Sequence, residues 1–274
     1  MSQGRRRPAL TALLGASVWL AHLSLPVPTF AKACGDDVGG ARVPCACGDT
    51  VVSDTVLRAG DPVVSGRCRG DGLIVRAGEL AETIVLDLAG LAIVGRGSGV
   101  GIDVDAGGND GALINGGAEG RRGQIVGFAV GLKSRTPRAV RRLQHVEVRG
   151  QVYEGLNLRS AGTLVIDVRA ASNGADGIRI SGQGGRMIGV EAVGNAGAGL
   201  RVLANDVVLQ GRAQDNREHG IVVTGMRNDL RGSSAVGNGG YGFLLAGREP
   251  NIEGIVAQAN GVKDVGHRRK RGQR

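Results

Sequence analysis

The chain has 274 residues, of which 50 are glycine and only 2% are aromatic. Glycine inside a helix costs about 1 kcal/mol relative to alanine, so this composition excludes an architecture of helical repeats. The formal net charge is +9, but nine basic residues lie in the two ends, 1–33 and 267–274, and the other 25 basic residues balance the 25 acidic ones. The neutral body argues against a general polyanion binder, and the few aromatic rings argue against nucleic acid as a partner.

Residues 1–33 predict a secretory signal peptide. Three arginines at 5–7 precede the apolar stretch 9–25, and the sequence Ala-Lys-Ala at 31–33 fits a cleavage site. The mature chain would begin at Cys34 and be secreted, periplasmic or on the cell surface. Lipidation of that cysteine is an alternative, but Lys32, two residues before it, stands where the lipidation motif requires a small residue. No other stretch is long and apolar enough to span a membrane.

The four cysteines all lie near the predicted mature start. An even number in an exported chain predicts two disulfides, for which three pairings are possible. Cys45 and Cys47 are too close to favour each other, and we favour Cys34–Cys45 with Cys47–Cys68. A metal site at the Cys-x-Cys pair is the alternative, disfavoured by oxidising export and the lack of a nearby histidine. Residues 34–70 would then form a disulfide-pinned cap over the open sheet edge of the first coil.

A motif of the form Asn-x-x-x-Gly-apolar repeats every 21 or 22 residues. Its asparagines are Asn173, Asn195, Asn216, Asn238 and Asn260. The residues after each glycine alternate in polarity and are rich in β-branched side chains, which predicts strands. A period near 22 fits one coil of three short strands, stacked on its neighbours at about 4.8 Å. We therefore predict an all-β fold, a single-stranded right-handed parallel β-helix of about eight or nine coils over 71–262, with the asparagines stacked as a hydrogen-bonded ladder.

The C-terminal residues 263–274 are predicted to be a basic, disordered tail. From His267 onward the chain carries five basic residues and no apolar side chain. Such a tail would contact anionic surfaces only by nonspecific electrostatics.

The repeats at 173–178 through 238–243, with the segment 84–95, resemble the exported parallel β-helix repeat proteins of the pectin-lyase-like fold family. The resemblance covers about residues 47 to 262 and implies the right-handed β-helix. It does not imply one function, because this fold hosts lyases, hydrolases, epimerases and non-enzymes. Related mannuronan epimerases carry a Tyr-Gly-Phe-Asp-Pro-His-type motif. The sequence at 241–245, Tyr-Gly-Phe-Leu-Leu, keeps only the first three residues, which argues against epimerase chemistry.

Strand alternation predicts which side chains face outward, because the second residue after each motif glycine should point away from the core. These second positions form one exposed row: Asp103, Lys133, Asn157, Arg179, Arg201, Val222 and Leu244. The next outward row includes Asp105, Arg159, Ser181 and Thr224. The residues directly before the glycines form a flanking row: Asp71, Glu154, Asp176, His219 and Tyr241.

The family's chemistry implies a groove on one sheet that holds acidic sugars, with arginines binding uronate carboxylates. Asp176 and His219 are the candidate acid or base for catalysis. The candidate substrate-binding residues are Arg179, Arg201, Glu154, Arg159 and Tyr241. The alternative is that these charges pair across strands and only make a soluble surface.

Two further features are read as structural. His145 is predicted to be a strand histidine without a catalytic role. Asp103 and Asp105 offer oxygens for calcium, but no third acidic ligand is evident on a neighbouring coil, so we predict no metal and no cofactor.

The favoured function is an exported binding or surface-scaffold protein that engages cell-envelope or extracellular polysaccharide. The alternative is an enzyme, a lyase, hydrolase or epimerase that acts on an acidic polysaccharide. Against catalysis stand the short loops and the absence of tryptophan after the signal peptide, because sugar-binding grooves commonly use amphipathic rings. The sequence does not predict the oligomeric state.

Overall fold

The computed structural model describes residues 31–76, 83–105 and 111–267. These residues form a parallel β-helix of about nine coils, as predicted. They contain 26 strands and one short helix, and no helix in the described ranges is long and apolar enough to cross a membrane. Most of the predicted signal peptide, residues 1–30, lies outside the described residues, as do residues 268–274.

One sheet, face 1, takes one strand from each coil, and all of its strands are parallel. Its eleven strands, in order, are β1 (Ala33–Cys34), β2 (Asp49–Val51), β4 (Leu73–Val75), β7 (Val100–Val104), β10 (Val130–Ser134), β13 (Leu156–Ala161), β16 (Ile178–Gln183), β18 (Leu200–Asn205), β20 (Ile221–Val223), β23 (Tyr241–Leu245) and β26 (Lys263–His267).

The other two faces belong to one 15-stranded sheet, because two long strands, β17 (Arg186–Val193) and β19 (Val208–Gln214), bend across the corner between them. Face 2 contains the first halves of these strands together with β3 (Thr55–Val56), β5 (Ile84–Asp87), β8 (Ala112–Asn115), β11 (Val140–Gln144), β14 (Leu164–Ile166), β21 (Asp229–Arg231) and β24 (Asn251–Glu253). Face 3 contains their second halves together with β6 (Ala92–Val94), β9 (Gly123–Val126), β12 (Val146–Arg149), β15 (Arg169–Ala171), β22 (Ser234–Val236) and β25 (Val256–Gln258).

The core is a set of aliphatic columns inside the three faces. On face 1, Ile178, Leu200, Ile221 and Phe243 lie in register on successive strands, and all four are fully buried. Each such side chain contributes about 1.5–3 kcal/mol when it leaves water. Each coil therefore buries its apolar residues against its two neighbours, as the repeat period predicts.

The coils turn at residues with positive φ. At the corner between faces 3 and 1, Gly194 has a φ of 64°, and Ser172 and Asp215 take the same left-handed conformation at 53° and 54°. The next residue in each coil then points inward. At this corner that residue is an asparagine of the repeat motif, which explains why a polar side chain occupies a core position.

The predicted asparagine ladder is confirmed. The Nδ2 group of each asparagine donates to the Oδ1 of the next, from 2.8 Å for Asn173 to Asn195 to 2.9 Å for Asn238 to Asn260. Each Oδ1 also accepts a backbone N–H from the preceding rung. The motif glycine makes room for the ladder, because a Cβ at Gly177 would lie 2.6 Å from the Nδ2 of Asn195. A buried Asn228 lies at the corner between faces 1 and 2. Its Oδ1 accepts the backbone N–H of Val207 and its Nδ2 donates to the carbonyl of Ala204, so it bonds the preceding coil in the same way without being part of a ladder. The periodicity of the sequence does not indicate it.

The N-terminal end of the helix is covered. The disulfides are Cys34–Cys45 and Cys47–Cys68, with Cα atoms 5.1 and 5.4 Å apart, which confirms the favoured pairing. The short helix α1 (Pro62–Ser65) buries Val63 completely. Arg42 holds this segment by donating to both carboxylate oxygens of Asp61, at 2.7 and 2.8 Å.

The C-terminal end extends further than the sequence indicates. Residues 263–274 were expected to be a disordered tail, but Lys263–His267 form β26, which pairs with β23. The reason is the apolar Val265, which lies in register with Phe243 and continues its column.

Candidate functional site

The predicted outward row on face 1 lies in register across successive strands, from Asp103 to Leu244. Two of its members are not exposed, however. Asp103 retains only 2% of its accessible surface, because Arg135 folds over it and donates to both of its carboxylate oxygens. Val222 is similarly buried, at 3%. Asp103 therefore has no oxygen free for calcium.

The predicted flanking row is interrupted. The residue before Gly199 is the buried Ala198, and its coil lies between those of Asp176 and His219. At one strand spacing per coil, Asp176 and His219 are about 9–10 Å apart along the helix axis. That distance is too long for the two side chains to exchange a proton directly.

Asp176 is held by hydrogen bonds. It is 6% exposed, and it accepts Nε of Arg201 at 2.5 Å, Nη2 of Arg201 at 3.0 Å and the backbone N–H of Ala198 at 2.9 Å. The hydrogen bonds with Asp176 raise the pKa of Arg201 against the opposing effect of burial. The same guanidinium reaches Glu218, with Nη2 3.4 Å from Oε2. The charge of Arg201 is therefore largely neutralised within the protein.

His219 is half-buried and has one ring nitrogen engaged. Its Nδ1 accepts the backbone N–H of Tyr241 at 3.0 Å, and the two rings lie 5.5 Å apart at 45°. A Cβ at Gly240 would collide with this imidazole, so the glycine is needed for its position. Burial, and secondarily Arg201, lower the pKa of His219 despite the nearby carboxylates of Glu218 and Asp176. At neutral pH the ring is therefore uncharged, and Nε2 carries the proton.

Arg179 differs from Arg201. It lies beside Arg201 on one side and Asn157 on the other, and it makes no ion pair with any described residue. Like charges directly opposite each other on adjacent strands are unfavourable. The pairing of Arg201 with Asp176 reduces this repulsion, and Arg179 is the member of this arginine pair without a counter-charge among the described residues.

Two more predicted ligand-binding residues, Arg159 and Glu154, lie near Arg179, and so does the cation Lys133. Arg159 is exposed on the strand next to that of Arg179, one row further along. Glu154 is half-buried in the flanking row, and in the described part of the chain its carboxylate has no ion-pair partner. Lys133 is exposed in the same outward row as Arg179, two strands away.

Face 3 carries surface depressions. Two shallow ones, of about 180 and 150 Å³, share Glu191 and Arg212 on face 3. There Arg169 bridges two carboxylates, Glu191 at 3.1 Å and Glu147 at 3.4 Å. None of the predicted site residues on face 1 lines either of these two depressions.

A cluster at the corner between faces 2 and 3 was not predicted. Nδ1 of His145 lies 2.9 Å from Oδ2 of Asp167, and Arg122 donates to the other oxygen of the same carboxylate. Burial acts to raise the pKa of Asp167, but Arg122 and His145 outweigh it and lower the pKa. Both His145 and Asp167 have positive φ, at 54° and 48°. Their separation of 22 residues, one repeat, is the signal that could have placed them together. The cluster ties three coils together, but His145 lies at the corner between β11 and β12 and not within a strand as predicted.

The ranges that the structure describes contain no group of three or more histidine, cysteine or acidic side chains placed to hold a metal ion.

Comparison with known proteins gives few matches. No protein-family model matches the chain, and no curated protein matches it. Among solved structures, a double mutant of the periplasmic alginate epimerase AlgG matches with 14% identity and a TM-score of 0.45, over 81% of this chain and 73% of that one. The A-module of mannuronan C-5 epimerase AlgE4 from Azotobacter vinelandii matches with 16% identity and a TM-score of 0.40, over 78% and 70%. Likeness at this level identifies no shared site, so the functional argument rests on the side chains of this chain.

Proposed function

We propose that the protein is an exported binding protein for an anionic polysaccharide, which lies along face 1 and contacts Arg179. The observation that carries the proposal is the uncompensated guanidinium of Arg179 beside a neutralised Arg201. A carboxylate on the ligand would supply the missing counter-charge through a bidentate hydrogen bond.

The neighbouring groups suit a polymer with repeated carboxylates. Arg159 and Lys133 are exposed cations on the next two strands of the same face, one strand and two strands away from Arg179. Lys133 and Arg179 are two strand spacings apart, about 9–10 Å, so a polymer with a carboxylate on each sugar can reach both. The stacked coils of a solenoid provide the long, repetitive surface that such a ligand needs.

Neutral donors lie on the same side of face 1. The Nε2–H of His219 is not used by its bond to Tyr241 and is available for a sugar hydroxyl or ring oxygen. The phenol of Tyr241 adds an amphipathic ring beside it. Because these groups are uncharged, the selectivity that they give among sugars would persist at moderate salt.

Export is part of the proposal. The two disulfides are typical of an oxidising compartment, and they agree with the signal peptide that the sequence predicts. An exported protein would encounter cell-envelope or extracellular polysaccharide, which we therefore propose as its partner.

Catalysis on the same ligand is the second candidate, favoured by the convergence of Arg201, His219 and Tyr241. The bonding at His219 argues against it. A general base needs a free lone pair, but the lone pair of Nδ1 accepts a backbone N–H and Nε2 carries the proton. Asp176 has both oxygens occupied by Arg201. Turnover would be tested with His219→Gln, which must abolish product formation while leaving the fold intact if His219 is catalytic.

The binding experiment uses calorimetry with polygalacturonate and alginate, and with dextran as a neutral control, at low and moderate salt. Arg179→Ala should lower the affinity for an acidic polymer about tenfold or more, because a charged hydrogen bond is worth about 1.5–3 kcal/mol. Arg186→Ala is the matched control, since Arg186 is an exposed arginine on face 2. Equal losses in both variants would show nonspecific attraction, and no binding to any acidic polymer would reject the proposal.

A further inference from the structure

The two ends of the β-helix differ in how well they are covered. At the N-terminal end, Val63, Leu57 and Cys68 are at most 1% exposed. At the C-terminal end, the last inward layer is only half-buried: Ile252, Ile255, Ala257 and Val265. One coil earlier, the same columns hold Leu230, Ala235 and Phe243, which are fully buried. Within the described residues, the terminal layer is thus an apolar surface on which no further coil packs.

The backbone at this end is also unpartnered. In the described structure β24, β25 and β26 each pair with a single strand, on the side of the preceding coil. The N–H groups of Asn251 and Val256 donate back to Asn228 and Ser233, so those of Ile252 and Ala257 face the open end. Three unpaired strand edges around an apolar layer form a template for further strand pairing.

Residues 268–274 contain five basic side chains and no apolar one, so their composition does not match an apolar layer. The N-terminal end of another copy is not a match either, because α1 and the two disulfides already cover it. The same C-terminal end of a second copy offers both an apolar layer and three open edges. Lys263 and Asp264 on β26 are exposed and carry opposite charges. The C-terminal ends of two copies can therefore contact each other without net electrostatic repulsion.

We propose that two copies of the chain associate through their C-terminal ends. The two-fold axis would lie perpendicular to the helix axis, so the strands would meet antiparallel across the interface. This symmetry places β26 against the partner's β26, and β24 against the partner's β25. The contact closes on itself and leaves both capped ends outward, which limits the assembly to a dimer. It is independent of the proposed polysaccharide site.

The test is sedimentation velocity of the exported protein from low to high micromolar concentration. The expected result is a monomer–dimer equilibrium. Val256→Lys should raise the dissociation constant more than tenfold, because a charge beside an open strand edge opposes pairing. Val152→Lys is the matched control: both valines are 46% exposed, but Val152 lies in the middle of the helix and should leave the constant unchanged. Val262→Lys, at a site 61% exposed, should repeat the effect of Val256→Lys.

Several outcomes would overturn the proposal. A monomer at every concentration would do so, as would assemblies larger than a dimer or equal weakening by Val152→Lys. A variant ending at His267 tests whether residues 268–274 prevent dimerisation. If the wild-type protein is a monomer and this variant dimerises, the proposal is overturned for the full chain and the basic residues 268–274 are what opposes the contact. Thermal melts monitored by circular dichroism would confirm that each variant folds.

Discussion

Arg201 closes over Asp176 of the neighbouring coil through two bonds, from Nε to Oδ2 at 2.5 Å and from Nη2 to Oδ1 at 3.0 Å. The sequence places both residues in a ligand site, but the geometry gives each a partner within the protein. The pair therefore links two coils, and in the proposed binding site it leaves Arg179 as the neighbouring arginine without an ion-pair partner among the described residues.

Removal of Arg201 should affect stability more than binding. Arg201→Ala leaves a carboxylate of 6% exposure without its main donor, which should lower the free energy of unfolding by about 1–3 kcal/mol. Urea unfolding of Arg201→Ala, of Asp176→Asn and of the double variant measures the coupling free energy between the two side chains. A stability loss below about 0.5 kcal/mol, together with a large loss of polymer affinity, would instead make Arg201 a ligand clamp.

The architecture could be predicted because it depends on periodic features. The recurrence of asparagine and glycine at 21 or 22 residues indicates a coil, a ladder and the outward register of face 1, and the structure contains all three. Side-chain partnership is not periodic. Whether Arg201 turns to Asp176 or to solvent depends on rotamers, and Ala198 breaks a row that its neighbours suggest. The strand Lys263–His267 was not predicted, because the basic residues that follow it dominate the local composition.

Interior rungs of the asparagine ladder should be costly to remove. Asn216→Ala leaves the backbone N–H of Asn195 without its acceptor and removes one hydrogen bond from the amide of each neighbouring rung, so we expect a loss of about 1–3 kcal/mol of unfolding free energy for the unpaired buried group. Asn251→Ala is the control, since Asn251 is exposed and its amide only meets Asp229. Asn260→Ala should have an intermediate effect, because Asn260 is the half-buried last rung. Equal unfolding midpoints in urea for all three variants would contradict a stabilising ladder.

Acid should weaken the fold through His219. Its pKa is lowered in the folded state, so the unfolded chain binds the proton more tightly near its ordinary value of about 6.5. The resulting stabilisation is complete above that value and is lost as the pH falls from it through the lower pKa of the folded state. The lowered pKa of Asp167 acts in a separate window, because its contribution is present above about 3.9 and is lost only below. Melting temperature measured from pH 7.5 to 5 should fall less in His219→Gln than in the wild-type protein; parallel curves would assign the acid sensitivity to other groups.

The cap should depend on its disulfides. Cys34–Cys45 and Cys47–Cys68 span 11 and 21 residues, so loop closure predicts about 3 kcal/mol for each, with the longer loop slightly more effective. Paired Cys→Ser replacements, one disulfide at a time, should lower the melting temperature and open residues 34–70 to proteolysis before the repeats. The order of cleavage distinguishes this from general destabilisation, because loss of the cap exposes the first coil while the asparagine ladder at the other end still holds. A melting curve that reductant does not change would show that Val63 and the Arg42–Asp61 pair suffice to cover the first coil.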